Sequence, residues 1–143
     1  MAYKTRYFPI NPTKYIGNTG NIICRSLWER KFCKYLDRNR NVIRWTFESI
    51  KIPYISPLDN KPHMYIPDFL IETKDTAGTI ETTIIEIKPK KQTVQPEMKK
   101  KSKRTFMTES ATFVVNQAKW ISAREYCKKN DIKFKILTED ELF

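Results

Sequence analysis

Apolar positions first fall at helical spacing at Trp28, Phe32, Tyr35 and Leu36, which share one face of an amphipathic helix. That spacing predicts a helix over about residues 25–38, with Ser26 as its N-cap. Upstream, residues 1–24 show no apolar period. Pro9, Pro12, Gly17 and Gly20 interrupt them, so they read as an irregular arm. Downstream the pattern turns to strand character. Residues 43–54 are rich in β-branched and aromatic side chains, residues 64–72 form a second such run, and residues 82–88 a third. Turn chemistry separates them at Pro57-Leu-Asp-Asn-Lys-Pro62 and at Asp75-Thr-Ala-Gly78, and Pro89 stops the third run. Short turns between three strands predict an antiparallel meander.

Beyond residue 104 the pattern predicts a helix through Phe106 and Met107, then a short strand at Phe113-Val114-Val115. A second helix runs from an Asn116 cap to about Lys129, and a last strand spans Lys133 to Leu137. The order α-β-β-β-α-β-α-β has no linker long enough to divide it. It predicts one α/β domain over residues 1–143, built on a mixed central sheet flanked by helices.

Composition narrows the class. The chain has 40% hydrophobic and 30% charged residues, which is globular rather than disordered. No apolar run reaches the roughly 18 residues of a membrane span, and the N-terminus lacks the apolar core of a signal peptide. We therefore expect a cytoplasmic protein with no membrane partner. Cys24, Cys33 and Cys127, with one histidine (His63) and no CxxC pair, exclude a disulfide framework and a structural zinc site and read as buried thiols. The 27 Lys and Arg outnumber the 16 Asp and Glu, a net charge of +11. Such an excess calls for a polyanion, with nucleic acid the commonest.

The third strand carries the chemistry. In Thr83-Ile84-Ile85-Glu86-Ile87-Lys88 the side chains of Ile84, Glu86 and Lys88 share a face. A carboxylate and an ammonium on so apolar a strand are costly unless paired or bound to an ion. Pro67-Asp68 opens the preceding strand, and the hairpin allows Asp68 to lie beside Glu86. Two adjacent carboxylates repel unless a cation joins them. Mg²⁺ suits oxygen ligands and retained waters, and Mn²⁺ should substitute. Asp68, Glu86 and the Ile87 carbonyl would hold the metal, and Lys88 would orient water or stabilise phosphorane charge. Pro67-Asp68 followed by Glu86-x-Lys88 is the PD-(D/E)xK nuclease pattern, which predicts a restriction-endonuclease-like core.

Glu29 has two readings. Ser26-x-x-Glu29 is a capping box. Glu29 also lies three and seven residues before Phe32 and Leu36 on the core-facing side of the helix, so it could join the metal site. For DNA contacts the candidates are Arg25, Lys90, Lys91, Lys99, Lys100, Lys101, Lys103, Arg104 and Lys119. Of these, Arg25 and Lys119 read first as surface cations and second as phosphate contacts, and His63 first as a solvated turn residue and second as a phosphate contact. Lys90–Arg104 holds Glu97 as its single acid, a self-repulsive run without a polyanion.

The whole chain resembles the head completion nucleases of contractile-tailed bacteriophages. The likeness rests on Arg25-Ser26-x-Trp28-Glu29, Glu86-Ile-Lys-Pro-Lys-Lys91, Val115-Asn116-x-x-Lys119-Trp120 and Phe134-Lys-Ile-Leu-Thr-Glu-Asp140. A weaker likeness is to the transposon-end-cleaving endonuclease subunit of heteromeric transposases. The resemblance implies a late role in capsid maturation after DNA packaging, in the host cytoplasm, with portal or neck proteins as partners and a minor place in the virion. It implies Glu29, Asp68, Glu86 and Lys88 as the catalytic set. A head–neck adaptor that keeps the fold without chemistry, and a basic DNA-binding module, are the competing readings. Monomer and dimer both stay open.

Overall fold

The computed structural model describes residues 3–142, so the first two residues of the arm and Phe143 lie outside it. The core is a four-stranded mixed sheet of β3 (Val42–Phe47), β6 (Phe69–Lys74), β7 (Ile80–Ile87) and β8 (Lys133–Leu137), in the order β3-β6-β7-β8. The first three strands are antiparallel, as the meander predicts, and β8 runs parallel to β7. A parallel neighbour needs a long crossover, and α2 (Lys103–Lys129) supplies it. On one face of the sheet lies α1 (Leu27–Arg38), burying Phe32, Cys33 and Leu36 against Trp45, Phe69, Ile85 and Ile87. On the other face α2 packs Trp120, Ala123 and Cys127 against Ile84, Tyr54 and Tyr65. The alternation of β7 is what feeds both layers. All three cysteines are buried free thiols.

The two runs read from the sequence as single strands are each broken. β3 ends at Phe47 and β4 (Ile52–Ile55) begins after an interruption. β5 (Pro62–Tyr65) likewise stops before β6. The β4–β5 hairpin is therefore a separate two-stranded sheet folded over toward α2. Glu48 sits at the bend with φ 51°, a left-handed conformation that interrupts a strand. Opposite it, Pro67 offers no N–H to a ladder. The Glu48 N–H donates to the Asp68 carbonyl at 2.8 Å, which closes the corner. This corner places Asp68 just outside the sheet, where its side chain is free for other work.

The predicted strand at Phe113-Val114-Val115, and with it the Asn116 cap, is not formed. Residues 103–129 make one continuous helix, capped by Ser102, whose hydroxyl accepts from the Thr105 N–H at 3.1 Å. Asn116, Trp120, Ala123 and Cys127 form its buried stripe at spacings of four, three and four. The same face continues upstream through the half-buried Phe106, Glu109 and Phe113 at spacings of three, four and three. A strand at 113–115 would split one helical face, so tertiary packing overrides the β-propensity of the valines.

The N-terminal arm is also more ordered than its sequence suggests. β1 (Thr5–Arg6) pairs with β2 (Ile23–Cys24), and two 3₁₀ turns lie between them. Tyr15 bridges to Trp45, and the Ile16 N–H donates to the Trp45 carbonyl at 2.9 Å. The arm thereby covers the open edge of β3, a common protection against edge-to-edge pairing.

Candidate active site

Register sets the centre of the site. Phe69 opposes Ile85 and Leu70 opposes Ile84, so Asp68, one residue before β6, falls beside Glu86. Glu86 is 4% exposed. Burial and the neighbouring Glu86 raise the Asp68 carboxyl well above the ordinary carboxylate range. Asp68 Oδ2 also accepts from the Ile87 N–H at 2.8 Å. That bond takes the place a ladder partner would fill past the end of β6. In extended backbone a residue's N–H and C=O point to the same side, so the Ile87 carbonyl lies on the Asp68 side of β7.

Tyr65, which the sequence reading missed, hydrogen-bonds through its hydroxyl to Glu86 Oε2. Its burial and the nearby carboxylates push the phenol far up, so it remains a donor. Lys119 projects from α2 to within 6.0 Å of the Tyr54 ring centre and 5.8 Å of the Tyr65 ring centre. Burial, then the charge of Lys88, lower its ammonium pKa, while Glu86 raises it. Lys88 and Lys119 thus bring two cations to the rim of the carboxylate pair. Lys88 has its main chain tied by its N–H to the Leu137 carbonyl at 3.0 Å.

Glu29 lies at the edge of this cluster. Its Oε1 accepts from the Arg25 N–H at 2.8 Å, and its own N–H donates to Ser26 Oγ at 3.1 Å. The capping arrangement is therefore present, but the bond returns to Arg25 rather than to the Ser26 amide. Burial raises the Glu29 carboxyl, with Glu48 and Glu86 adding to the rise. α1 packs on the sheet face opposite the one that carries Glu86, and Glu86 is the weakest of the influences on Glu29. Among the described residues, no three His, Cys, Asp or Glu side chains come together as a metal-ligating cluster. The central donor set is two carboxylates and a backbone carbonyl. That set suits a hard divalent cation: the two acidic groups lie side by side, and no lysine or arginine is ion-paired with either among the described residues.

The predicted phosphate contacts divide into two groups. Arg25 pairs with Glu48, Lys90 with Asp140 at 3.1 Å, Lys99 with Glu97 at 3.0 Å and Lys101 with Glu109 at 3.1 Å. Lys91, Lys100, Lys103, Arg104 and Lys119 carry no ion pair among the described residues. Surface pairs contribute only about 0–1 kcal/mol, so a phosphate can replace the acid in each. His63 lies on β5 opposite Tyr54 rather than in the turn, and pairs with Asp59 of the β4–β5 turn at 2.8 Å.

A buried tyrosine clamping one of two paired carboxylates tests the site's geometry. Tyr65→Phe should lower nicking by about tenfold with little loss of folding, read by plasmid cleavage beside a thermal melt.

A mixed sheet with acids at the bend of one strand and within the next, and a lysine two residues on, defines a nuclease of the PD-(D/E)xK type. The TnsA-like endonuclease N-terminal family matches residues 39–139, and the chain belongs to it. The chain is also 40% identical over 146 residues to the head completion nuclease of Enterobacteria phage T4, covering 99% of this chain and 95% of that protein. Residues 39–139 hold Asp68, Glu86, Lys88 and Lys119, while α1 and the arm lie before them.

Proposed function

We propose that the chain is a divalent-metal-dependent DNA endonuclease acting in phage head completion, within the infected host. The observation that carries this reading is the placement of Asp68 beside the buried Glu86, with Lys88 two residues on. Asp68, Glu86 and the Ile87 carbonyl would hold Mg²⁺, or Mn²⁺ in its place, which when bound polarises a phosphate oxygen and acidifies a water. Tyr65 fixes the rotamer of Glu86 and keeps one of its oxygens engaged. Lys88 and Lys119 face the position where phosphorane charge develops and stabilise it. Glu29 adds negative potential at the edge of the pair. Lys91, Lys100, Lys103 and Arg104, with the ion-paired Arg25, Lys90, Lys99 and Lys101, bind the phosphate backbone and hold the duplex against the site. No helix among the described residues is long and apolar enough to cross a membrane. Portal or neck proteins would be the assembly partners of such an enzyme.

Supercoiled plasmid incubated with Mg²⁺ and the wild-type protein should be nicked, and Asp68→Ala and Glu86→Ala should leave it intact. Equal nicking by all three, or none by any, would sink the assignment.

A further inference from the structure

A groove runs between the β4–β5 turn and the N-terminal half of α2, beyond the carboxylate pair. Its volume is about 520 Å³, and Leu58, Met107, Ala111, Val115, Asn116 and Lys119 line it. That size lies within the range of small-ligand sites, about 300–1,000 Å³.

Three observations bear on what it takes. Its lips are apolar and open: Leu58 is 64% and Met107 60% exposed, on a chain of net charge +11. Asn116 is only 5% exposed, and its Nδ2 has no hydrogen-bond partner among the described residues. A buried donor without an acceptor is costly, and native proteins seldom keep one without reason. Lys119 belongs both to the groove and to the rim of the carboxylate pair. The groove is therefore continuous with the place where a scissile phosphate would lie. Apolar walls, a spare amide donor and a lysine at one end match a nucleobase, with its flat face and ring acceptors, joined to a phosphate. A paired base in a duplex has its faces stacked and its edges engaged, whereas an unpaired one presents both.

We propose that this groove receives an unpaired nucleotide next to the scissile phosphate, so that the enzyme selects DNA ends carrying single strands over flush duplex. The inference rests on the nuclease reading and names the form of DNA that the same site takes. The base lies between Leu58, Met107 and Val115, with the Asn116 amide turning to meet its edge. The phosphate lies toward Lys119.

Binding measured by fluorescence anisotropy in EDTA tests it, using a flush duplex and the same duplex with a short single-stranded overhang. Wild type should bind the overhang form about tenfold tighter, which is about 1.4 kcal/mol. Ala111→Trp, which fills the groove, and Leu58→Ser, which removes a lip at an exposed turn, should each lower that ratio toward one. If Ala111→Trp does not fold, Leu58→Ser decides alone. Equal affinity of wild type for both DNAs, or a ratio kept by the folded variants, would overturn the proposal. Sedimentation showing a DNA-free dimer that Leu58→Ser dissociates would overturn it too, assigning the groove to a second copy of the chain. No cleavage enters these readouts, so failure of the plasmid assay and failure of the overhang preference are separate results.

Discussion

Asp68→Asn should lower plasmid nicking by about a thousandfold and yet raise the melting temperature of the metal-free protein. The amide keeps an oxygen to accept from the Ile87 N–H, the bond that holds Asp68 at 2.8 Å. It also offers the neighbouring Glu86 a hydrogen-bond donor. What it removes is a charge that burial and Glu86 both oppose. Because the folded Asp68 pKa is raised above its unfolded value, the stability tied to its protonated form is complete below the ordinary carboxylate range. That stability is lost as pH climbs through the raised folded value. Wild type and Asp68→Asn should therefore melt together at acid pH and separate as pH rises. A stabilisation of about 1 kcal/mol would appear as about 3–5 °C at neutral to alkaline pH. Mg²⁺ should reverse the order, raising the wild-type melt and leaving the variant nearly unmoved. Thermal melts across pH in EDTA and in Mg²⁺ read both effects. A variant that melts below wild type at alkaline pH in EDTA would show that the pair is not strained.

The same pair shows how far the sequence reaches. Period-two alternation is a local property, so the face shared by Ile84, Glu86 and Lys88 could be read without coordinates. The turn at Asp75–Gly78 made Asp68 a plausible neighbour. The corner that lifts Asp68 out of the sheet had no such signal. Glu48 takes its left-handed conformation without being glycine, and the break in the strands follows from two distant segments meeting. Tyr65 was missed for a related reason. Its meaning depends on Glu86, 21 residues away on a different strand, and a tyrosine in an aromatic-rich strand carries no local mark. Phe113-Val114-Val115 failed in the opposite sense, where a clear local propensity yielded to the packing stripe of α2. Glu29 divides the two kinds of information. The cap is a short-range feature and is present, while the influence of Glu86 on Glu29 depends on where α1 packs against the sheet.

Asp37→Ala should lower stability by about 3–5 kcal/mol, a fall in melting temperature of more than about 10 °C. Nothing around Asp37 in the sequence marks it. It stands in the last turn of α1, where the helix dipole disfavours an acid by about 0.3–1 kcal/mol, and it is 0% exposed. It persists there because the arm supplies its partners. The Tyr7 hydroxyl donates to Oδ2 at 2.7 Å, the Ile10 N–H to Oδ2 at 2.7 Å and the Asn11 N–H to Oδ1 at 3.0 Å. Burial and Asp37 together push the Tyr7 phenol up, which keeps it a donor to the carboxylate. Lys14 completes the tie, its ammonium donating to the carbonyls of Leu36, Asp37 and Asn39 at 2.8–3.0 Å. Removing the carboxylate strands three buried or half-buried donors at once, and each such loss is costly beyond the bond itself. Tyr7→Phe, which removes one donor and leaves the other two bonds, should cost about 1–3 kcal/mol. The arm seals the edge of β3 through Ile16 and Trp45, so its release should also speed proteolysis near Phe8 and Ile10, which are already exposed. Urea unfolding with limited proteolysis measures both effects. An Asp37→Ala protein as stable as wild type, with an arm no easier to cut, would mean that the apolar contacts of Tyr7 and Ile22 alone hold the arm in place.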